Sequence, residues 1–117
     1  MEGGNDFHRR LKMLMDGYVN KIYDCTEHFP KTEIFGITSQ LRRSALSVIL
    51  NYIEGYARRR NKVLLNFLET SYGSLKESKY LVYFSFKRKY LEEKEYKELL
   101  SLAEEIGAML WGTINKL

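Results

Sequence analysis

The sequence predicts an all-α chain folded as an antiparallel up-down-up-down four-helix bundle that assembles as a homo-oligomer. Three observations carry that expectation. Apolar residues recur at steps of three and four along four long stretches, and no strand-like alternation persists. The connections between the stretches are short, which favours antiparallel neighbours. One stretch, residues 39–62, has more apolar surface than a single buried face requires.

The first helix is expected over about 6–29. Phe7, Leu11, Leu14, Tyr18, Ile22, Cys25 and Phe29 share one stripe, and Pro30 closes it. "PKTEIFGITS" then connects to a second helix over about 38–59, with Thr38 or Ser39 as its cap. Asn61 caps a third over about 62–90, whose stripe holds Leu64, Leu68, Ser71, Leu75, Val82 and Phe86. A fourth covers about 93–116, with Glu92, Glu93 and Glu95 favoured near its start by the helix dipole. Its stripe runs Tyr96, Leu99, Leu100, Ala103, Ile106, Leu110, Ile114 and Leu117.

The chain's 117 residues suit one domain, 1–117. No stretch has the roughly 18 consecutive apolar residues of a membrane span, and "MEGGNDFHRR" lacks the apolar core of a signal peptide. A single cysteine fits a reducing compartment, so the expected location is cytoplasmic.

The net charge of +4 is unevenly distributed. Residues 31–62 carry seven Lys/Arg against two Asp/Glu, and residues 63–91 five against two. Residues 92–117 carry three against six. A basic middle points to an anionic partner; alternatively, basic and acidic helices offset one another within or between subunits.

On the second helix, Ile37, Leu41, Ala45, Val48, Tyr52 and Tyr56 form the core stripe. Leu46, Ile49, Leu50 and Ile53 occupy the neighbouring arc. Exposing four large aliphatic side chains together is unusual for a monomer, so this arc is assigned as a subunit interface. Gln40, Arg43, Ser47, Asn51, Glu54 and Arg58 stack in one polar row, read either as a solvated face or as a register-setting network. The candidate nucleic-acid contacts are Arg42, Arg43, Arg58, Arg59, Arg60 and Lys62, then Lys87, Arg88 and Lys89. Dipole stabilisation of a helix C-terminus is the competing account of Arg58, Arg59 and Arg60.

Catalytic chemistry is not expected. His8 and His28 have no ligand partners at metal spacing, and there is no HExxH, CxxC or phosphate-cradling glycine loop. Cys25 falls on the apolar stripe, and a Glu54/Glu77 acid–base pair would require burial of both. No metal or cofactor is expected. Tyr80 and Phe84 point to the polar side of the third helix and are candidates for contact with a partner.

"FPKTEIFGITSQLRRSALSV", "NYIEGYARR" and "FLETSYGSLKES" together resemble the small four-helix bundle proteins associated with intervening sequences in bacterial 23S ribosomal RNA genes, often labelled S23 ribosomal protein. The resemblance covers about Phe7 to Leu117. That family is similar in fold to the accessory proteins of diversity-generating retroelements, which bind nucleic acid and a reverse transcriptase. The resemblance implies a homopentamer, a nucleic-acid link, and motif positions Gln40, Arg43, Asn51, Glu54, Gly55, Gly73, Ser74 and Glu77, read as structural determinants more than as a binding site, with Ser74 and Glu77 joining the structural polar residues. Ile49 stands where the family usually has Pro, which implies a straighter second helix. Ile53 stands where it usually has Ala. The resulting function is a non-enzymatic homo-oligomer that binds RNA or other structured nucleic acid; the alternative is a protein–protein scaffold with no nucleic-acid role.

Overall fold

The computed structural model describes residues 2–117. Four helices, α1 (Glu2–Thr26), α2 (Ile37–Tyr56), α3 (Asn61–Lys87) and α4 (Glu93–Asn115), form an all-α body of 44 × 24 × 18 Å. Each helix packs on the next and α4 returns to α1, whereas the diagonal pairs α1–α3 and α2–α4 make no close backbone approach. Contacts between neighbours fall in reverse order. His8 meets Tyr52 while Thr26 meets Arg42, and Tyr72 meets Trp111 while Phe86 meets Tyr96. Reverse order is the sense an up-down-up-down arrangement requires.

Leu11, Met15, Tyr18 and Ile22 meet Leu41, Val48, Tyr52, Leu68, Leu75, Leu99, Ile106 and Leu110 in the core, all essentially inaccessible. Burying each such side chain is worth roughly 1.5–3 kcal/mol, and together they set the bundle against chain entropy. Tyr18 reaches across the centre, and its hydroxyl shares a 2.8 Å hydrogen bond with Ser78. Tyr56, expected on the core stripe, is instead exposed, because it falls at the last turn of α2 where the bundle opens.

Several ends differ from the sequence expectation. The first helix stops at Thr26, not Phe29. Pro30 disfavours the α conformation at Phe29, and the chain descends through tight i→i−3 bonds, the last from Phe29 N to Thr26 O at 3.1 Å. The connection contains a one-turn 3₁₀ helix, Lys31–Glu33, that periodicity does not reveal. Neither Thr38 nor Ser39 caps α2. Gly36 holds the cap position, and the Glu33 carboxylate accepts from Ile37 N–H at 3.4 Å. Thr38 is buried, and its hydroxyl has no hydrogen-bond partner among the described residues. Arg60, rather than Asn61, holds the cap position of α3.

The third helix ends at Lys87 rather than near Tyr90. Tyr90 N–H bonds Ser85 O and Lys89 N–H bonds Phe86 O, both at 2.9 Å, which is a Schellman closure. Lys89 sits at its left-handed position with φ 66°, the one non-glycine among the described residues with positive φ. An L-residue there costs about 1–2 kcal/mol. Lys89→Gly is therefore expected to raise unfolding stability by about 1 kcal/mol, since part of the gain is offset by glycine's larger entropy loss on folding. An unchanged or lower urea midpoint rejects this account.

Candidate nucleic-acid interface

The two ends of the bundle carry different basic clusters. Arg58, Arg59, Arg60 and Lys62 lie in and just beyond the α2–α3 connection. Lys87, Arg88 and Lys89 lie at the opposite end, which also holds the α1–α2 connection. There Phe29 packs on Tyr90 with ring centroids 5.5 Å apart, and the Tyr90 hydroxyl donates to Glu33 at 2.9 Å. Folding thus brings Arg42, Arg43 and Lys31 toward Lys87–Lys89 and leaves Arg58–Lys62 at the far end.

The three arginines lie just beyond the end of α2 rather than within its last turn. α2 ends at Tyr56, and its last turn has no basic residue. Arg58 pairs with Glu54 at 3.1 Å and lies over the Phe67 ring, so its charge is partly engaged. Arg42 is engaged more fully. Its Nε donates to Thr26 Oγ1 at 2.7 Å, its guanidinium reaches Tyr23 O at 3.4 Å and it stacks 4.7 Å from the Tyr23 ring. It is a strut between α1 and α2, which the one-dimensional pattern does not reveal. Arg43, Arg59, Arg60, Lys62, Lys87, Arg88 and Lys89 are exposed, and none forms an ion pair among the described residues.

Three carboxylates of α4 are directed at other helices, while Glu93 pairs with Lys97 at 3.8 Å and Glu92 and Glu95 form the helix's capping box beside Lys87–Lys89. Glu105 pairs with Arg10, Glu98 with Lys21, and Glu104 with Lys79 at 3.6 Å. The hydrogen bond from Lys21 holds the Glu98 carboxyl below its ordinary range and raises the Lys21 ammonium correspondingly.

The polar row divides in two. Ser47 shares a 2.8 Å hydrogen bond with Ser74 across the α2–α3 seam, and Asn51 donates to Ser47 O and Oγ at 2.9 and 2.8 Å. Gln40, Arg43, Glu54 and Glu77 are exposed. The seam is close because small residues line it. Ser71 Oγ donates to Val48 O at 2.6 Å, and Gly55 faces Phe67 and Leu64.

On the outer arc of α2, Leu50 and Ile53 are 53% and 50% exposed and Leu46 is also open, whereas Ile49 is half-buried against the chain's own core. Phe35, at 95% exposure, stands beside α2's N-terminus. At the other end of α2 a cavity of about 420 Å³ is lined by His8, Lys12, Tyr52, Ile53, Tyr56 and Ala57. His8 Nδ1 is hydrogen-bonded to the Tyr52 hydroxyl, and burial, aided by Lys12, lowers its pKa.

On α3, Tyr80, Tyr83 and Phe84 form an exposed aromatic group, with Tyr80 6.2 Å from Tyr83 and 6.4 Å from Phe84 between ring centroids. The sequence pattern singles out Tyr80 and Phe84, while Tyr83 falls at a position flanking the core stripe. The Tyr72–Trp111 pair, at 5.3 Å, has no signal in the sequence, because it joins residues of two helices. Among the described residues no group of three His, Cys, Asp or Glu side chains is placed to hold a metal ion, and no helix is long and apolar enough to cross a membrane. Cys25 is buried, and burial pushes its thiol up to about 12.

Comparison with known proteins adds the family. The model for the 23S rRNA-intervening sequence protein matches residues 13–112. No curated protein matches the chain. A crystal structure of a protein of unknown function from the S23 ribosomal protein family of Bacteroides thetaiotaomicron superposes with a TM-score of 0.82 at 18% identity, over 89% of this chain and 97% of that one. At that identity the likeness speaks for the fold alone. With its family model spanning most of its length, the chain belongs to the 23S rRNA-intervening sequence protein family.

Proposed function

We propose that the protein is a non-enzymatic, cytoplasmic homo-oligomer that binds RNA or other structured nucleic acid through repeated basic clusters. The pairing pattern of the cations is the observation that carries this reading. Glu105, Glu98 and Glu104 of α4 are engaged by Arg10, Lys21 and Lys79, so these three carboxylates are not directed at the basic clusters. Seven of the nine nominated cations stay exposed and free of carboxylates among the described residues. Exposed Lys and Arg bind phosphate by releasing counterions, which gives weak sequence preference and steep salt dependence. The family's association with ribosomal RNA intervening sequences supports the same direction.

Self-association is the second half of the proposal. Leu46, Leu50 and Ile53 form an aliphatic strip that a second copy would cover, and a closed ring, taken as a pentamer from the family resemblance, would repeat each basic cluster. The strip also supports the alternative, a scaffold that docks another protein and has no nucleic-acid role.

Titration with a structured RNA hairpin at 50 and 200 mM salt separates the two. Affinity is expected to fall steeply with salt. The triple variant Arg59→Gln/Arg60→Gln/Lys62→Gln is expected to weaken binding about ten-fold or more at low salt. It should also flatten the salt slope, by somewhat under one unit for each phosphate no longer neutralised. Absence of binding at low salt, or a flat salt response, rejects the nucleic-acid reading and leaves the scaffold.

A further inference from the structure

The two exposed apolar surfaces differ in chemistry. The α2 strip is aliphatic, which suits protein packing but offers no π-face. The outer face of α3 is aromatic and basic. Tyr80, Tyr83 and Phe84 are 61%, 45% and 38% exposed and lie against one another. Each keeps over a third of its surface open to solvent. Lys76 precedes Tyr80 by one helical turn, and Lys87 follows Phe84 by one turn, both exposed. Lys76 also places its ammonium 5.2 Å from the centre of the Tyr72 ring, which packs on Trp111. The Tyr72–Trp111 pair thus lies eight positions before Tyr80 on the same helix, roughly 12 Å at 1.5 Å per residue, with Lys76 between them. Glu77 is the acidic residue on this stretch, and Glu104 in the adjoining groove is already paired with Lys79.

We infer that the outer face of α3 is a stacking platform for unpaired nucleobases, with Tyr80, Tyr83 and Phe84 taking the bases and Lys76 and Lys87 the flanking phosphates. The inference rests on the nucleic-acid reading above and narrows it to single-stranded segments. Bases in a duplex are stacked on one another and offer no face to a tyrosine, whereas splayed bases in loops and ends do. Base–aromatic stacking tolerates any sequence, because every base has a π-face. Lysines one turn to either side add the charge complementarity that an interface with a neutral protein surface would not use.

The test compares a 20-nucleotide unstructured RNA with the same strand annealed to its complement, at one salt concentration. Wild-type protein, Tyr80→Leu/Phe84→Leu and Tyr80→Phe/Tyr83→Phe are measured. The leucine variant keeps apolar bulk and removes the π-faces. It is expected to lose ten-fold or more in affinity for the single strand and little for the duplex, while the phenylalanine variant retains most of the single-strand affinity. Equal losses on both RNAs, or no loss on either, overturn the platform but leave the electrostatic reading standing if wild-type binding is salt-dependent. A wild type that binds neither RNA sinks both. Light scattering on the leucine variant closes the remaining route: a changed subunit number would make this face a contact between copies, and the inference would fall.

Discussion

Gly55→Val is expected to lower the unfolding free energy by about 3 kcal/mol, the upper end of the usual cost of overpacking a close contact. A Cβ at this position would lie 2.9 Å from the Phe67 Cβ and 3.1 Å from a Leu64 methyl. The leucine methyl can rotate away. The Phe67 Cβ is fixed by the α3 backbone, so the helices themselves must separate. Separation would stretch the Ser71–Val48 bond of 2.6 Å and the Ser47–Ser74 bond of 2.8 Å, both at the same seam. Gly55→Ala is the sharper test. Alanine is favoured over glycine in a helix by about 1 kcal/mol, so an uncrowded site would be stabilised. A net loss of about 1 kcal/mol is expected instead. A urea midpoint for Gly55→Ala at or above wild type would show that the α2–α3 approach is looser than these distances require.

Stability is expected to fall steeply in alkali, with Tyr18 as a main cause. Burial raises its hydroxyl from 10.0 to about 12, against a smaller opposing effect of the Ser78 hydrogen bond. The folded state therefore holds the proton more tightly than the unfolded chain. The resulting stabilisation is complete below pH 10 and is lost as pH rises through 12. At about 1.4 kcal/mol per pH unit, Tyr18 alone accounts for roughly 2–3 kcal/mol across that interval. Cys25, pushed up to about 12 by burial, acts in the same sense from near pH 9, and Tyr52 is raised by burial as well. Unfolding free energies at pH 8, 10 and 11.5 measure the slope. Tyr18→Phe should be less stable at pH 8 through the missing hydrogen bond yet flatter above pH 10. A wild-type curve that stays level to pH 11.5, or an unchanged slope in Tyr18→Phe, contradicts the buried hydroxyl.

These expectations depend on distances that no one-dimensional pattern contains. Gly55 is noticeable in sequence as a helix-weakening residue and as part of the family motif, but the atom it must avoid belongs to another helix. The basic residues show the same division. Their clustering along the chain is visible in the sequence, whereas the engagement of Arg42 with Thr26 and Tyr23 depends on how α1 and α2 face each other. A side chain that reads as a phosphate contact in one dimension also braces two helices in three.

The sequence by itself determined the number of helices, their approximate extents, most of the buried stripe of each (Phe7, Tyr56 and Leu117 near helix ends are exposed) and the aliphatic excess of α2, because these follow from a 3.6-residue period acting on residues close in the chain. Family membership was legible in the same way, from motifs at fixed spacing. Helix ends shifted by a few residues where local chemistry outweighed periodicity: Pro30 behind α1, Glu33 and Gly36 ahead of α2, and the left-handed Lys89 after α3. Only the tertiary structure decided which charges cancel and which remain. Ion pairing between Lys21 and Glu98 or Arg10 and Glu105 joins residues far apart in sequence, and it leaves Arg59, Arg60 and Lys62 without a carboxylate among the described residues.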